Sequence, residues 1–245
     1  MPDRPRLLVV VPSETAPPAR LGQWLRDAGL ELDERHLDAG DPLPADLAGH
    51  DGLLVMGGPQ SSVDDDATSG LGPVRDLLAR ALADRVPTLA VCLGAQLLAQ
   101  AGGGRVRVGA DGPEVGAALV AKRDAAEHDP LFGPLPLSPD VVQWHHDEIS
   151  ELPAGATLLA SSPRYAHQAF CTGRACYGLQ FHVETTPEIV REWAEGDPEG
   201  IASTRLDAPT VAERAAAVHP DVEEVWAPFA ARFADLVRAT STTGV

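Results

Sequence analysis

The stretch Val86–Gln100, VPTLAVCLGAQLLAQ, constrains the fold more than any other part of the chain. Thr88-Leu-Ala-Val91 is short, uncharged and preceded by Pro87, which predicts a buried strand. Ala95–Gln100 has the composition of a helix, stopped by Gly102-Gly-Gly104. Cys92 stands where the strand ends, with Gly94 two residues on. A strand, a sharp turn carrying one side chain and then a helix is the layout of a nucleophile elbow, more familiar with serine in G-x-S-x-G. Such a turn lifts Sγ above the sheet edge. The helix N-terminus sets partial positive charge and free N–H groups beside it, which favours a thiolate and can hold an oxyanion. A buried structural cysteine explains this stretch equally well, since cysteine is among the most buried residue types.

The sequence before the elbow predicts strands at Leu7–Val11, Leu30–Leu37 (edge-like) and Gly52–Met56. Helices are predicted at Ala19–Ala28 and Leu71–Ala83, and a loop or short helix at Asp41–Gly49. This order argues for a parallel α/β sheet with helices on both faces. After Gly104 come short β-like pieces at Arg105–Val108, Val115–Val120, Val141–Trp144, Thr157–Ser161, Gln168–Phe170 and Ala175–Phe181. Asp129–Asp140 is too rich in proline for regular structure. Pro187–Ala194 restarts a helix, with Thr185 or Thr186 as N-cap and Pro187 in the first turn. Gly196–Thr210 reads as a polar loop or linker. Val211–Val218 and Val222–Val237 read as two closing helices, the second kinked or restarted at Pro228, before a frayed Thr240–Val245.

Composition removes several function classes. A chain of 245 residues, 44% hydrophobic and 22% charged, suits one large domain. Three cysteines do not make a disulfide framework and fit a reducing cytoplasm. The net charge of −17 disfavours nucleic acid and anionic membranes as partners. No apolar run approaches the roughly 18 residues that would span a bilayer, and the first one is too short for a signal peptide.

Three distant segments carry unusual chemistry. Met56-Gly-Gly-Pro-Gln60 follows a strand, and its glycines let backbone N–H groups approach a ligand; taken alone it is better read as a tight turn. Cys92 is the second. The third is Gly178-Leu-Gln-Phe-His-Val-Glu184, where His182 and Glu184 share a face of an extended segment. A carboxylate there would fix the imidazole tautomer and raise its basicity, although an isolated H-x-E is more often a satisfied histidine beside a surface acid. Together the three supply the parts of a thiol acyl-transfer site.

The combination resembles the class I (triad) glutamine amidotransferases over roughly residues 50–195, and within them the glutaminase domain of GMP synthase. The resemblance rests on GGPQSSVDDD (57–66), AVCLGAQLLA (90–99), VVQWHHDEI (141–149) and YGLQFHVETT (177–186). It implies a flavodoxin-like three-layer α/β sandwich with a mostly parallel central sheet. On that basis residues 1–195 form the amidotransferase-like domain, and 196–245 a C-terminal helical extension packed on it. Cys92 would be the nucleophile, His182 the general base and acid, and Glu184 its orienting partner. Backbone N–H groups of Gly58 and Leu93 would form the oxyanion hole. Gly57, Gln96, Trp144 and His145 would line the glutamine pocket. No metal or organic cofactor is required.

Two departures stand out. His-Pro-Glu of the family reads His182-Val183-Glu184, which keeps the acting side chains. His-Gly-Asp reads His145-His146-Asp147, so His146 would narrow the pocket and weaken action on free glutamine. The expected substrate is glutamine or a γ-glutamyl amide. Either an ammonia-accepting synthetase partner exists, or the chain acts alone as an amidase. A non-catalytic binding or regulatory protein on the same fold, and a related cysteine hydrolase or peptidase, stay open. His145-His146-Asp147-Glu148 is a poor metal site because adjacent residues rarely converge on one ion. Asp64-Asp65-Asp66 reads as a solvated loop or cap, and Cys171 and Cys176 as core thiols.

Overall fold

The computed structural model describes residues 4–63 and 70–241. The acidic run at 64–66 and the C-terminal residues 242–245 lie outside the described residues. The main sheet has the order β2-β1-β3-β4-β12-β11-β10-β7. Here β1 is Arg6–Val11, β2 Glu31–His36, β3 Gly52–Val55, β4 Thr88–Val91, β7 Ala121–Lys122, β10 Thr157–Ser161, β11 Ala169–Thr172 and β12 Cys176–Leu179. From β2 to β12 neighbouring strands run parallel, and from β12 to β7 they run antiparallel. Two ribbons stand beside the sheet: β5 (Arg105–Val108) with β9 (Asp147–Glu151), and β6 (Glu114–Leu119) with β8 (Asp140–His145). The result is the mostly parallel, flavodoxin-like α/β sandwich that the family resemblance implies.

Strand alternation builds the two faces, because successive side chains point to opposite sides of a sheet. Leu7, Val9, Val11, Leu54, Leu89 and Val91 pack on one face, against Leu21 and Leu25 of α1 (Ala19–Asp27) and Trp226, Phe229 and Phe233 of the last helix. Leu8, Val10, Leu53, Val55 and Ala90 pack on the other, against α2 (Gly72–Asp84) and α3 (Leu93–Ala101). The edge strand β2 reads ELDERH, and its charges discourage another chain from pairing there.

The C-terminal region corrects two expectations. Gly196–Thr210 is not a loop. After α4 (Pro187–Gly196), α5 occupies Pro198–Thr204, and α6 begins at Ala208. Asp197 Oδ1 accepts from Gly200 N at 2.9 Å and Asp207 Oδ1 from Thr210 N at 2.9 Å. Each aspartate stands just before a short run holding a proline, the arrangement that starts a helix. The two closing helices are one element, α6 (Ala208–Ser241), with Pro220 and Pro228 inside it. Each proline removes a backbone bond, but the flanking Val222, Trp226, Phe229 and Phe233 are fully buried and hold the axis on the sheet. At α4, Thr186 rather than Thr185 is the cap, accepting from Ile189 N.

Trp226 anchors α6. Its ring lies 5.1 Å from Phe229, 5.3 Å from Phe181 and 6.0 Å from Phe132, and its Nε1 donates to Asp140 O at 3.0 Å. Trp226→Ala leaves a cavity and an unpaired carbonyl, so unfolding in urea should show a loss of about 3–5 kcal/mol. A loss under about 1 kcal/mol would mean that α6 is not integral to the core.

Candidate active site

The site forms where β3, β4 and β12, neighbours in the sheet, end on the same edge. Cys92 follows β4 with φ 51° and ψ −110°, a backbone conformation unfavourable for a residue with a Cβ. Its N–H donates to Leu179 O, the last residue of β12, at 2.7 Å. The elbow is tight because α3 starts against the backbone of β3. A Cβ on Gly94 would stand 2.3 Å from Val55 O, so only glycine fits. Gly57, just past β3, lies under both reactive groups: a Cβ there would be 3.3 Å from His182 Cε1 and 3.5 Å from Cys92 Cβ.

His182 is fixed by its backbone, which exchanges hydrogen bonds with Val142 at 2.8 and 3.0 Å. Its Nδ1 meets Glu184 Oε1 at 2.6 Å, and Glu184 Oε2 accepts from Val183 N at 2.9 Å. Both side chains are almost fully buried. The carbonyl of Trp144 lies 3.6 Å from Cys92 Sγ and 3.4 Å from His182 Nε2. Both imidazole nitrogens therefore face acceptors, which suits the imidazolium. Burial opposes that charge, but the Glu184 carboxylate and the Cys92 sulfur outweigh it and hold His182 well above the ordinary histidine range.

A cavity of about 500 Å³ opens over these groups, lined in part by Gly58, Leu93, Gln96, Trp144, His145 and His146. Gln96 is held in place: its Oε1 accepts from Ser62 Oγ at 3.1 Å, and its Nε2 faces Asp147 O and Gln180 Oε1 at 3.4 Å. Leu93 is the first residue of α3, so its N–H has no partner within the helix.

The Trp144–Glu148 segment does not converge on one point. His145 Nε2 meets Glu114 Oε2, His146 Nε2 meets Asp197 Oδ2 at 2.9 Å, Asp147 accepts from Ser61 Oγ, and Glu148 pairs with Arg107. His146 is not among the described residues with positive φ, so its backbone needs no glycine. Its imidazole instead leans on Asp197, which also accepts from Trp144 Nε1 at 2.9 Å. Asp197 and Trp193, absent from the sequence-derived site, thus form part of the cavity wall. The Asp-Pro pair that starts α5 was the legible signal for Asp197; nothing local marked Trp193.

Among the described residues, the parts of this α/β edge are those of a thiol site backed by a buried His–carboxylate pair. Residues 21–192 match the family model of class-I glutamine amidotransferases, and the chain belongs to that family. It is 31% identical over 174 residues to the glutamine amidotransferase-like protein YfeJ of Salmonella typhimurium, covering 69% of this chain and 71% of that one. It is 30% identical over 160 residues to gamma-glutamyl peptidase 5 of Arabidopsis thaliana, covering 64% and 63%. It is also 37% identical over 140 residues to the glutamine-hydrolysing GMP synthase of Helicobacter pylori, but spans only 24% of that protein's length. The solved structure of a glutamine amidotransferase from Thermotoga maritima superposes with a TM-score of 0.83 at 25% identity, covering 95% of this chain and 99% of the other.

The other two cysteines, Cys171 and Cys176, are not part of the cavity lining. Burial pushes the Cys171 thiol up to about 12 and the Cys176 thiol up to about 11, so both stay protonated at neutral pH. A glutamine-mimicking diazoketone at pH 7.5 should label Cys92 alone, read by mass mapping of peptides. Label on Cys171 or Cys176 at comparable stoichiometry would reject the assignment.

Proposed function

We propose that this chain hydrolyses the γ-amide of glutamine or of a γ-glutamyl amide, with Cys92 as nucleophile. The observation that carries the reading is the buried His182–Glu184 pair, at 2.6 Å, set beside a cysteine held at positive φ on a helix N-terminus. Cys92 thiolate attacks the γ-carbonyl carbon, forming an S–C bond. The N–H groups of Gly58 and Leu93 receive the oxyanion. His182 gives its proton to the leaving nitrogen as the C–N bond breaks, leaving a γ-glutamyl thioester. Water, deprotonated by His182, then attacks the thioester carbonyl, breaking the S–C bond to release glutamate and restore the Cys92 thiolate beside a protonated His182. Glu184 orients the imidazole and stabilises its charged form without itself taking the proton.

The relatives suggest two outlets for the leaving group. A relative in Halobacterium salinarum, 38% identical over 144 residues, is by its name one part of a multi-chain glutamine-hydrolysing GMP synthase, which supports ammonia transfer to a synthetase partner. The likeness to a gamma-glutamyl peptidase supports a chain that acts alone on a larger amide. The latter is the better reading, because a cavity of about 500 Å³ opens over Cys92 and His182 with His146, in place of the family glycine, in its lining.

Three variants test the chemistry. Cys92→Ser should abolish turnover. His182→Ala should lower kcat on the order of 10³-fold, with Glu184→Gln losing less, because the first transfers protons and the second only orients. Circular dichroism should show all three folded. A folded His182→Ala variant with near wild-type kcat would remove His182 from the mechanism. The wild-type chain should hydrolyse free glutamine more slowly than an N-alkylated γ-glutamyl amide, measured by glutamate release.

A further inference from the structure

Resting on that reading, we propose that the leaving group is an amine carrying a second, positively charged nitrogen. The nitrogen expelled from the amide has to come within proton-transfer reach of His182 Nε2. The lining of the cavity that opens over His182 also includes Trp193. The ring of Trp193 stands 4.7 Å from the His182 imidazole, and Trp144 stands 5.8 Å from Trp193. Two carboxylates, Glu192 and Asp197, share that lining. Trp144 and Glu192 fall within the 21–192 segment that matches the family model, and Trp193 and Asp197 lie just beyond it.

An indole wall closed by carboxylates suits an alkylammonium chain. The methylenes lie against the rings, the ammonium is attracted by the ring faces, and Glu192 accepts charge-assisted hydrogen bonds, since Asp197 is already taken up by Trp144 Nε1, His146 Nε2 and Gly200 N. Glu192 is exposed at this mouth and has no hydrogen-bond or ion-pair partner among the described residues. The same wall is hostile to an anion. Among the described residues, no Lys or Arg lines the cavity. The three histidines that do are each already matched with a carboxylate: His145 with Glu114, His146 with Asp197 and His182 with Glu184. An α-amino acid leaving group, as in a γ-glutamyl dipeptide, would bring its carboxylate against this surface.

Reaction on such a substrate balances without a further reagent. The γ-glutamyl amide of a diamine plus water gives glutamate and the free diamine, the leaving nitrogen taking its proton from His182. The test uses three amides with the same glutamyl end and the same chain length: those of butylamine, of 1,4-diaminobutane acylated once, and of 4-aminobutyrate. The full-length wild-type chain should show kcat/KM for the diamine amide about tenfold above that for the butylamide, with the 4-aminobutyrate amide slowest. Glu192→Gln should shrink the diamine-to-butylamide ratio to within about threefold, and added salt should narrow it in the wild type. Equal rates for the three amides, or fastest turnover of the 4-aminobutyrate amide, would overturn the proposal while leaving Cys92 hydrolysis intact. If the folded chain hydrolyses none of the three and no glutamine, the hydrolase reading falls and the proposal with it.

Discussion

The pairing of β4 with β12 is the constraint on which the site depends. The two strands lie far apart in sequence but side by side and parallel in the sheet, in register from Thr88 with Cys176 to Val91 with Leu179. Parallel pairing brings both C-terminal ends to the same edge, where loops are free to carry function. The hydrogen bond from Cys92 N to Leu179 O continues that pairing into the elbow. A slip of one residue would turn Leu89, Val91 and Leu179 away from the core they share, so hydrophobic burial enforces the register that the chemistry needs.

Burial of charge is the second organising theme. The interior beneath the cavity holds acids that would be costly alone, and each finds a donor. Glu114 accepts from Gln168, Ser162 and His145, and Glu184 from Val183 N–H and His182. On the far side, Thr185 Oγ1 meets His219 Nε2 of α6 at 3.0 Å, and Arg20 pairs with Glu223. The turn bearing Glu184 is therefore held from both sides, by the sheet and by the last helix. Burial, with Arg20 nearby, keeps His219 below the usual histidine range, so it stays neutral in this contact.

Most of the sheet was legible because its strands are short apolar runs bounded by Pro and Gly, and the elbow was legible because Cys92 and Gly94 punctuate one of them. His182 and Glu184 could be placed on one face from spacing alone. The distance between that face and Cys92 could not, because it depends on which strand sits next to β4. Gly196–Thr210 looks like a linker since its residues are polar, but Asp197 before Pro198 and Asp207 two residues before Pro209 outweigh composition there. The continuity of α6 was hidden by Pro220 and Pro228. Local propensity breaks a helix at such residues; packing of Trp226 and Phe229 against the sheet restores it.

The same strand order has a consequence for a nascent chain. While residues beyond Val91 are being synthesised, β4 can already pair with β3, but its other edge has no partner until β12 emerges. For that interval an apolar strand shows an open row of N–H and C=O groups, the template that invites pairing with a neighbouring polypeptide. The cysteine at its tip also lacks its imidazole until then. Completion of the thiol site and closure of the sheet beside β4 are thus coupled, because β12 brings His182 with it.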